Sequence, residues 1–296
     1  MPKKIFTLFL AFLCSVTAMA QWINVRETIW KQQFSKEMMD QFRSTTTVFF
    51  YSKQQGSQID SIKQAVAEGW KITPLIFDDI SNSNKYLSDP KYSFFSIESL
   101  SSETRTSGGG SYSNTHYFLT LRLFKEATKK GNIIRTCLGR IELYPNKIEN
   151  VYSKGAFYNW TPVLLKAQLE TVSTNLEKNF KPDHYDEFKD KDLTNILSSD
   201  TLYVPKTLLM GFNAVSAKEK DEAIFNGYRY KYRICTDEEL FDLFQISKKG
   251  RLLFEYVQSS TDKFITIYDL QQKKTIYRDY VAISYNLKSK DIEKIK

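Results

Sequence analysis

The chain is predicted to be an α/β protein of mixed sheets (α+β in the sense that helices pack on them), built twice in tandem. Short β-branched and aromatic runs alternate with segments of helical spacing. Each half then ends in closely spaced strands, and the order helix, strand, helix, strand, helix, strand, strand, strand occurs in both. Strands separated by helices imply parallel pairing, and adjacent strands with short links imply an antiparallel extension. The expected organisation is a leader over 1–20, a first repeat over 21–150 and a second over 151–296, each repeat one mixed sheet with packed helices.

The leader carries Lys3 and Lys4, then the apolar run IFTLFLAFLC (5–14), then Ala18-Met19-Ala20. That is the charge, apolar length and small-x-small ending of a signal peptide, so cleavage is expected after Ala20, before Gln21. Cys14 follows Ala11-Phe12-Leu13, whose leucine is too bulky for a lipid-attachment site, so Cys14 is not expected to be acylated. No later stretch has the apolar length of a membrane-spanning helix, so no integral membrane segment is expected once the leader is gone.

In the first repeat, Trp22, Val25, Ile29, Trp30, Phe34, Met38 and Phe42 recur at three- and four-residue steps, which predicts one amphipathic helix. TTTVFFY (45–51) has the composition of a buried strand. Ser57-x-x-Asp60 resembles a capping box for a helix through Ile62 and Val66, with Gly69 ending it in a left-handed turn and Trp70 beyond. KITPLIFD (71–78) reads as a strand, with Pro74 pointing to an edge or a bulge. The polar segment SNSNKYLSDP (81–90) holds a short helix. KYSFFSIES (91–99), THYFLTLRLF (115–124) and NIIRTCLGRIEL (132–143) then form an antiparallel run. On the middle strand Tyr117, Leu119, Leu121 and Leu123 share one face, and the opposite face of Phe118, Thr120 and Arg122 is expected to be partly open.

The second repeat begins with a helix capped by Thr161 with Pro162 at its first position, striped by Leu165, Leu169, Val172 and Leu176. TLYVPKTLL (201–209) is its first strand, and the helix KEKDEAIFNG (218–227) ends at Gly227-Tyr228, like Gly69-Trp70. YKYRIC (230–235), a capped helix from Thr236 to Phe244, RLLFEYVQS (251–259), FITIYDL (264–270) and KTIYRDY (274–280) complete it.

Hydrophobic residues make up 42% of the chain and aromatic residues 15%, enough for two modest cores. Removal of the leader takes two lysines and no acids, so the formal charge falls from +8 to +6. Basic residues are interspersed with acids, as in KDKD (189–192) and KSKDIEKIK (288–296), which is a solvated pattern and excludes a phosphate-tracking stripe. Nucleic acid is therefore not an expected partner. Cys137 and Cys235 lie in apolar runs and read as small buried hydrophobes, although export would permit a disulfide.

A small-x-small leader followed at once by Gln21, on a chain rich in Lys, Phe and Tyr, resembles exported envelope proteins of Bacteroidota-type bacteria. The element order is also similar to envelope α/β modules such as the amino-terminal domain of TolB and the core of the curli exporter CsgG. The resemblance implies a compartment, periplasmic or at the outer surface, and no particular activity.

Motifs for chemistry are few. SGGGS (107–111) lacks the lysine of a phosphate-binding loop and lies between strands. His116 starts a strand, and His184, within KPDHYDEF, reads as part of a solvated charged loop whose acids could at most hold a metal weakly. No nucleophile elbow G-x-S-x-G occurs. Acids follow the second strand of each repeat: Asp78 and Asp79, then Asp237, Glu238 and Glu239. Paired carboxylates suit acid–base hydrolysis, but Thr236 with Glu239 equally forms a capping box. No catalytic, cofactor-binding or metal-ligating residue is therefore assigned; Asp78, Asp79, Asp237 and Glu239 are the candidates if the protein is an enzyme. The expectation is an exported binding or scaffold protein of the cell envelope, with an envelope protein, glycan or peptide as partner. A carboxylate-dependent, glycosidase-like hydrolase and a subunit of an export complex stay open as alternatives.

Overall fold

The computed structural model describes residues 25–105, 111–129, 133–146, 148, 150–209, 221–282, 284 and 286–296. The leader, the glycines of SGGGS and the first part of KEKDEAIFNG lie outside the described residues. What is described is a mixed α/β fold.

The chain enters through two short helices rather than one long one, α1 (Val25–Ile29) and α2 (Lys36–Arg43). Between them β1 (Gln32–Gln33) pairs with a later two-residue strand, and Ser35 starts α2 afresh by accepting from the Met38 backbone N–H at 3.2 Å. Strand pairing and a new cap both interrupt the helical spacing, which alone predicted continuity.

The first sheet contains β2 (Thr46–Tyr51), β3 (Leu75–Asp79), β4 (Tyr92–Arg105), β5 (Ser111–Ala127) and β6 (Ile133–Leu143), in the order β3-β2-β4-β5-β6. The strand β2 is parallel to both neighbours, and β4, β5 and β6 run antiparallel. Central and covered on both faces, β2 is a continuous apolar run, as parallel strands are. Pro74 precedes β3, the edge strand, where a missing N–H costs no ladder bond. Helix α3 (Ile59–Gly69) crosses from β2 to β3. Its start differs from the Ser57 box: a capping box of Ser52 and Gln55 opens the preceding 3-10 turn, and α3 continues from that turn without a side-chain cap.

Helix α4 (Pro162–Glu177), capped by Thr161, follows the first sheet. After it come β7 (Phe180–Lys181), the partner of β1, then β8 (Phe188–Lys189) and α5 (Leu193–Ser199). The second sheet adds β9 (Leu202–Pro205), β10 (Tyr232–Cys235), β11 (Leu252–Ser259), β12 (Asp262–Asp269) and β13 (Lys274–Val281), in the order β10-β9-β11-β12-β13-β8. Within β9 to β13 the pairings are parallel, parallel, antiparallel and antiparallel, the same as in β2 to β6. Helix α6 (Asp237–Phe241) links β10 to β11, opened by the capping box of Thr236 and Glu239. The last helix, α7 (Ser289–Glu293), is fixed to β12 by the buried pair Lys263 and Asp291.

Helix α4 serves both sheets. Leu165, Leu169, Val172 and Leu176 enter the first core, while Val163, Leu164 and Ala167 enter the second. It is therefore a shared layer and not only the leading helix of the second half; α5 is the helix immediately before β9. A helix apolar on two sides can be buried between two layers. Close approach explains the glycines here. A Cβ on Gly69 would lie 3.0 Å from the Lys166 carbonyl oxygen on α4. Neither Gly69 nor Gly227 has a positive φ, so the expected left-handed turns are absent at both. Cys137 and Cys235 are free and buried.

On β6, a Cβ at Gly139 would stand 2.8 Å from Val172 Cγ1 of α4. Gly139→Val should push the helix off the sheet and lower unfolding stability by about 1–3 kcal/mol, measured by urea denaturation. A variant as stable as the parent would show that this contact yields freely.

Candidate functional site

Where α4, β6, the segment joining β7 to β8, and β11 to β13 meet, they enclose a cavity of about 560 Å³. Its wall carries charged side chains that strand alternation turns inward. Arg140 and Glu142 are two apart on β6 and so share a face. The Glu142 carboxylate accepts from Arg140 Nε at 3.2 Å, Arg278 Nη2 of β13 at 3.0 Å and His184 Nδ1 at 3.2 Å. Burial works to raise the Glu142 carboxyl, but Arg278, His184 and Arg140 together hold it well below the usual carboxylate range.

Glu255 of β11 has a different environment. Its Oε1 accepts from Asn159 Nδ2 at 2.8 Å and from Gln168 Nε2, and its Oε2 accepts from the Tyr268 hydroxyl at 2.6 Å. Among the described residues no cation is hydrogen-bonded to it, and burial pushes its carboxyl up to about 6. Gln168, on α4, uses its amide N–H on Glu255 and leaves its buried Oε1 without a partner. Lys181 is buried too. It donates to the Thr28 and Trp30 carbonyls of the α1 region, and burial lowers its ammonium to about 8.

Behind Glu142 stand both histidines of the chain. His184 is 1% exposed, packed against Phe118 and Phe264 with ring centroids 5.5 and 4.6 Å away. The solvated-loop reading of KPDHYDEF is thus wrong for His184, because the ring turns inward to Glu142 while Asp183 caps the loop's own Tyr185 N–H. His116 of β5 lies 5.5 Å from it between centroids, at 82°. Its Nδ1 is 2.9 Å from Ser259 Oγ, and its Nε2 is 4.0 Å from Asp262 Oδ2. One donor atom each from His116, His184 and Asp262 lies within 4.8 Å of the others. Burial lowers both imidazoles, His184 to about 4.

The carboxylates proposed from sequence are elsewhere. Asp78 accepts from the Tyr86 hydroxyl at 2.5 Å and Asn82 Nδ2 at 2.7 Å. Asp79 caps the 3-10 turn Ile80–Lys85 through the Ser81 N–H. Asp237 meets the Thr207 hydroxyl at 3.2 Å, and Glu239 closes its capping box and pairs with Arg233. Asp78 and Asp79 end β3 of the first sheet, whereas Asp237 and Glu239 begin α6 of the second, and none of the four lines the cavity. The face of Phe118, Thr120 and Arg122 is closed, not open: all three are buried, and Arg122 donates to Glu98 at 2.6 Å and to Thr28 at 3.0 Å. Sequence reasoning passed over Glu142 and Glu255, whose only local signal is an acid inside an otherwise apolar strand, as in GRIEL and FEYV.

Comparison with known proteins finds no matching family, no matching curated protein and no matching solved structure.

The raised Glu255 carboxyl has a definite sign in stability. Its neutral form is favoured in the fold, so its contribution is full below the unfolded value of 4.5 and is lost as pH rises through about 6. Relative to Glu255→Gln, the parent should lose about 2 kcal/mol of unfolding stability between pH 4.5 and 7, read from denaturation curves at each pH. Parallel pH profiles for the two proteins would contradict a raised Glu255.

Proposed function

We propose that the chain is an exported binding protein of the bacterial envelope whose inter-sheet cavity takes a small polar ligand of sugar or short-peptide size. The observation that carries this is the cavity itself. At about 560 Å³ it falls in the range of small-molecule sites. Its wall offers the Arg140 and Arg278 guanidiniums, which share a single carboxylate, and the unpartnered Gln168 Oε1. Five basic side chains of the wall face six acidic ones, which suits a neutral or zwitterionic ligand, and Gln168 Oε1 is an acceptor for a hydroxyl or amide N–H. The leader sequence supports export. The equal strand order of the two sheets supports reading them as one unit written twice, with the ligand held at their junction.

A hydrolytic reading has one specific observation in its favour. Glu255 is a carboxyl raised to about 6 near a second, Glu142, held low, which is the division of roles between acid and base in two-carboxylate enzymes. Against it, both Glu255 oxygens are held by three donors, and Glu142 Oε1 is held by two guanidiniums and an imidazole. Binding needs no such group to be freed.

Thermal shift against free amino acids, dipeptides, and mono- and disaccharides should find one class that stabilises the protein. Thr171→Trp, which fills the cavity from α4, should abolish that shift while leaving the fold intact. Retention of binding in Thr171→Trp would remove the cavity from the reading. Recovery of the probe cleaved by the parent and uncleaved by Glu255→Gln would establish the hydrolase instead. Mass spectrometry of the protein from its own envelope fraction should find Gln21 at the amino terminus; a lipid-bearing start at Cys14 would refute the expected processing.

A further inference from the structure

We propose that His116, His184 and Asp262 form a binding site for one divalent transition-metal ion, of which Zn²⁺ is the representative. The site is separate from the cavity and does not depend on it. Its three donors come from three distant segments: β5 of the first sheet, the β7–β8 connection, and the start of β12 in the second sheet.

His184 carries the argument. Its Nδ1–H donates to Glu142, which fixes the proton there and leaves Nε2 as a bare lone pair. That Nε2 is buried and has no hydrogen-bond partner among the described residues. A buried acceptor left unmet is costly, and the groups that could hold a metal ion together with His184 are a second imidazole and a carboxylate. The three meet an ion's requirements rather than a hydrogen bond's. His116 presents Nε2 toward Asp262, at 4.0 Å, too long for a hydrogen bond. Its other nitrogen is fixed by Ser259 Oγ at 2.9 Å. Both rings are thus oriented from behind, His184 by a carboxylate and His116 by a hydroxyl, as metal-ligating histidines are.

The donor set selects the ion. Two imidazoles and one carboxylate suit zinc and its transition-metal neighbours, whereas calcium and magnesium require oxygen donors throughout. Three protein donors leave a position open for water or another small ligand. Donor atoms on a tetrahedral ion with bonds of about 2.0–2.1 Å stand roughly 3.3 Å apart. The present separations reach 4.8 Å at most, so loading draws the side chains inward by rotamer adjustment, without moving a strand. His116 and Asp262 are 12% and 11% exposed along their side chains, which gives the ion a way in, while His184 forms the floor. Asp262 also receives the Tyr280 hydroxyl, which orients its carboxylate.

The test uses the mature chain, stripped with a chelator and titrated with Zn²⁺ by calorimetry, with Co²⁺ as an absorption reporter of nitrogen and oxygen coordination. One ion per chain is expected, with the unfolding midpoint rising as free Zn²⁺ rises. Loss of a supporting group typically weakens metal affinity about 10–100-fold, so Ser259→Ala should fall in that range and His116→Ala beyond it. His184 is buried and its alanine variant could fail to fold, so His116→Ala and Asp262→Asn, both at the accessible side, decide the matter once circular dichroism shows them folded. Failure of the parent to bind, or stoichiometric binding that survives in both variants, overturns the site. Binding lost in both, with the Co²⁺ spectrum lost in parallel, establishes it.

Discussion

Three groups from three parts of the chain converge on the Glu142 carboxylate: Arg140 from its own strand, Arg278 from the far sheet and His184 from the connection between β7 and β8. Arg140 also donates to the Thr28 and Pro182 carbonyls at 3.1 and 3.0 Å, so the same cluster fastens α1 and the β7 segment. Bringing a carboxylate and two guanidiniums out of water costs several kcal/mol per ion unless geometry and further hydrogen bonds compensate. Here Arg140 Nη1 and Arg278 Nη2 also reach backbone carbonyls, including the His184 carbonyl for Arg278 at 3.4 Å. The two halves are therefore registered by a directional contact, which apolar packing alone does not provide. Removal of Glu142 would leave two cations buried beside each other, and the junction between the sheets would be the first part to open.

Helix α4 provides the non-directional half of the same junction. Leu165, Leu169 and Leu176 fill the first core, Val163, Leu164 and Ala167 fill the second, and Gln168 reaches Glu255 on β11. A helix shared in this way cannot shift toward one sheet without opening a void against the other, and Gly69 and Gly139 permit the close contact on the first-sheet side. The polar cavity lies where the helix, flanked by two apolar faces, turns its remaining polar side to the seam.

What could be read from sequence was what depends on near neighbours. The strands of both sheets other than β8, the edge position after Pro74, the Thr161 and Thr236 caps and the buried free cysteines all follow from residues within a few positions of one another. The capping reading of Glu239 is of the same kind. Helical spacing across 22–42 misled because the break at Gln32 and Gln33 is imposed by pairing with Phe180 and Lys181, far along the chain. The site was illegible for the same reason. Glu142 and Arg278 are 136 residues apart, and His116 and Ser259 are 143 apart. A histidine in a stretch of acids looks solvated until the fold turns that stretch over an aromatic floor of Phe118 and Phe264.

The location of the polar groups follows from the same economy of packing. Each sheet can cover one face with its own helices, but the remaining faces meet along β6, β11 and the ends of β5 and β12, and there backbone carbonyls from the α1 and β7 segments must also be satisfied. Arg140 and Lys181 do this by donating to the Thr28 carbonyl, while Arg122 donates to the Thr28 hydroxyl. Arg140, drawn in to satisfy carbonyls, requires an anion, and Glu142 supplies it; the anion in turn fixes the His184 proton on Nδ1 and leaves its buried Nε2 as a lone pair, with the His116 ring 5.5 Å away between centroids. The lone pair that makes a metal site possible is thus a consequence of how the two halves are held together, and not an isolated feature added to a finished fold.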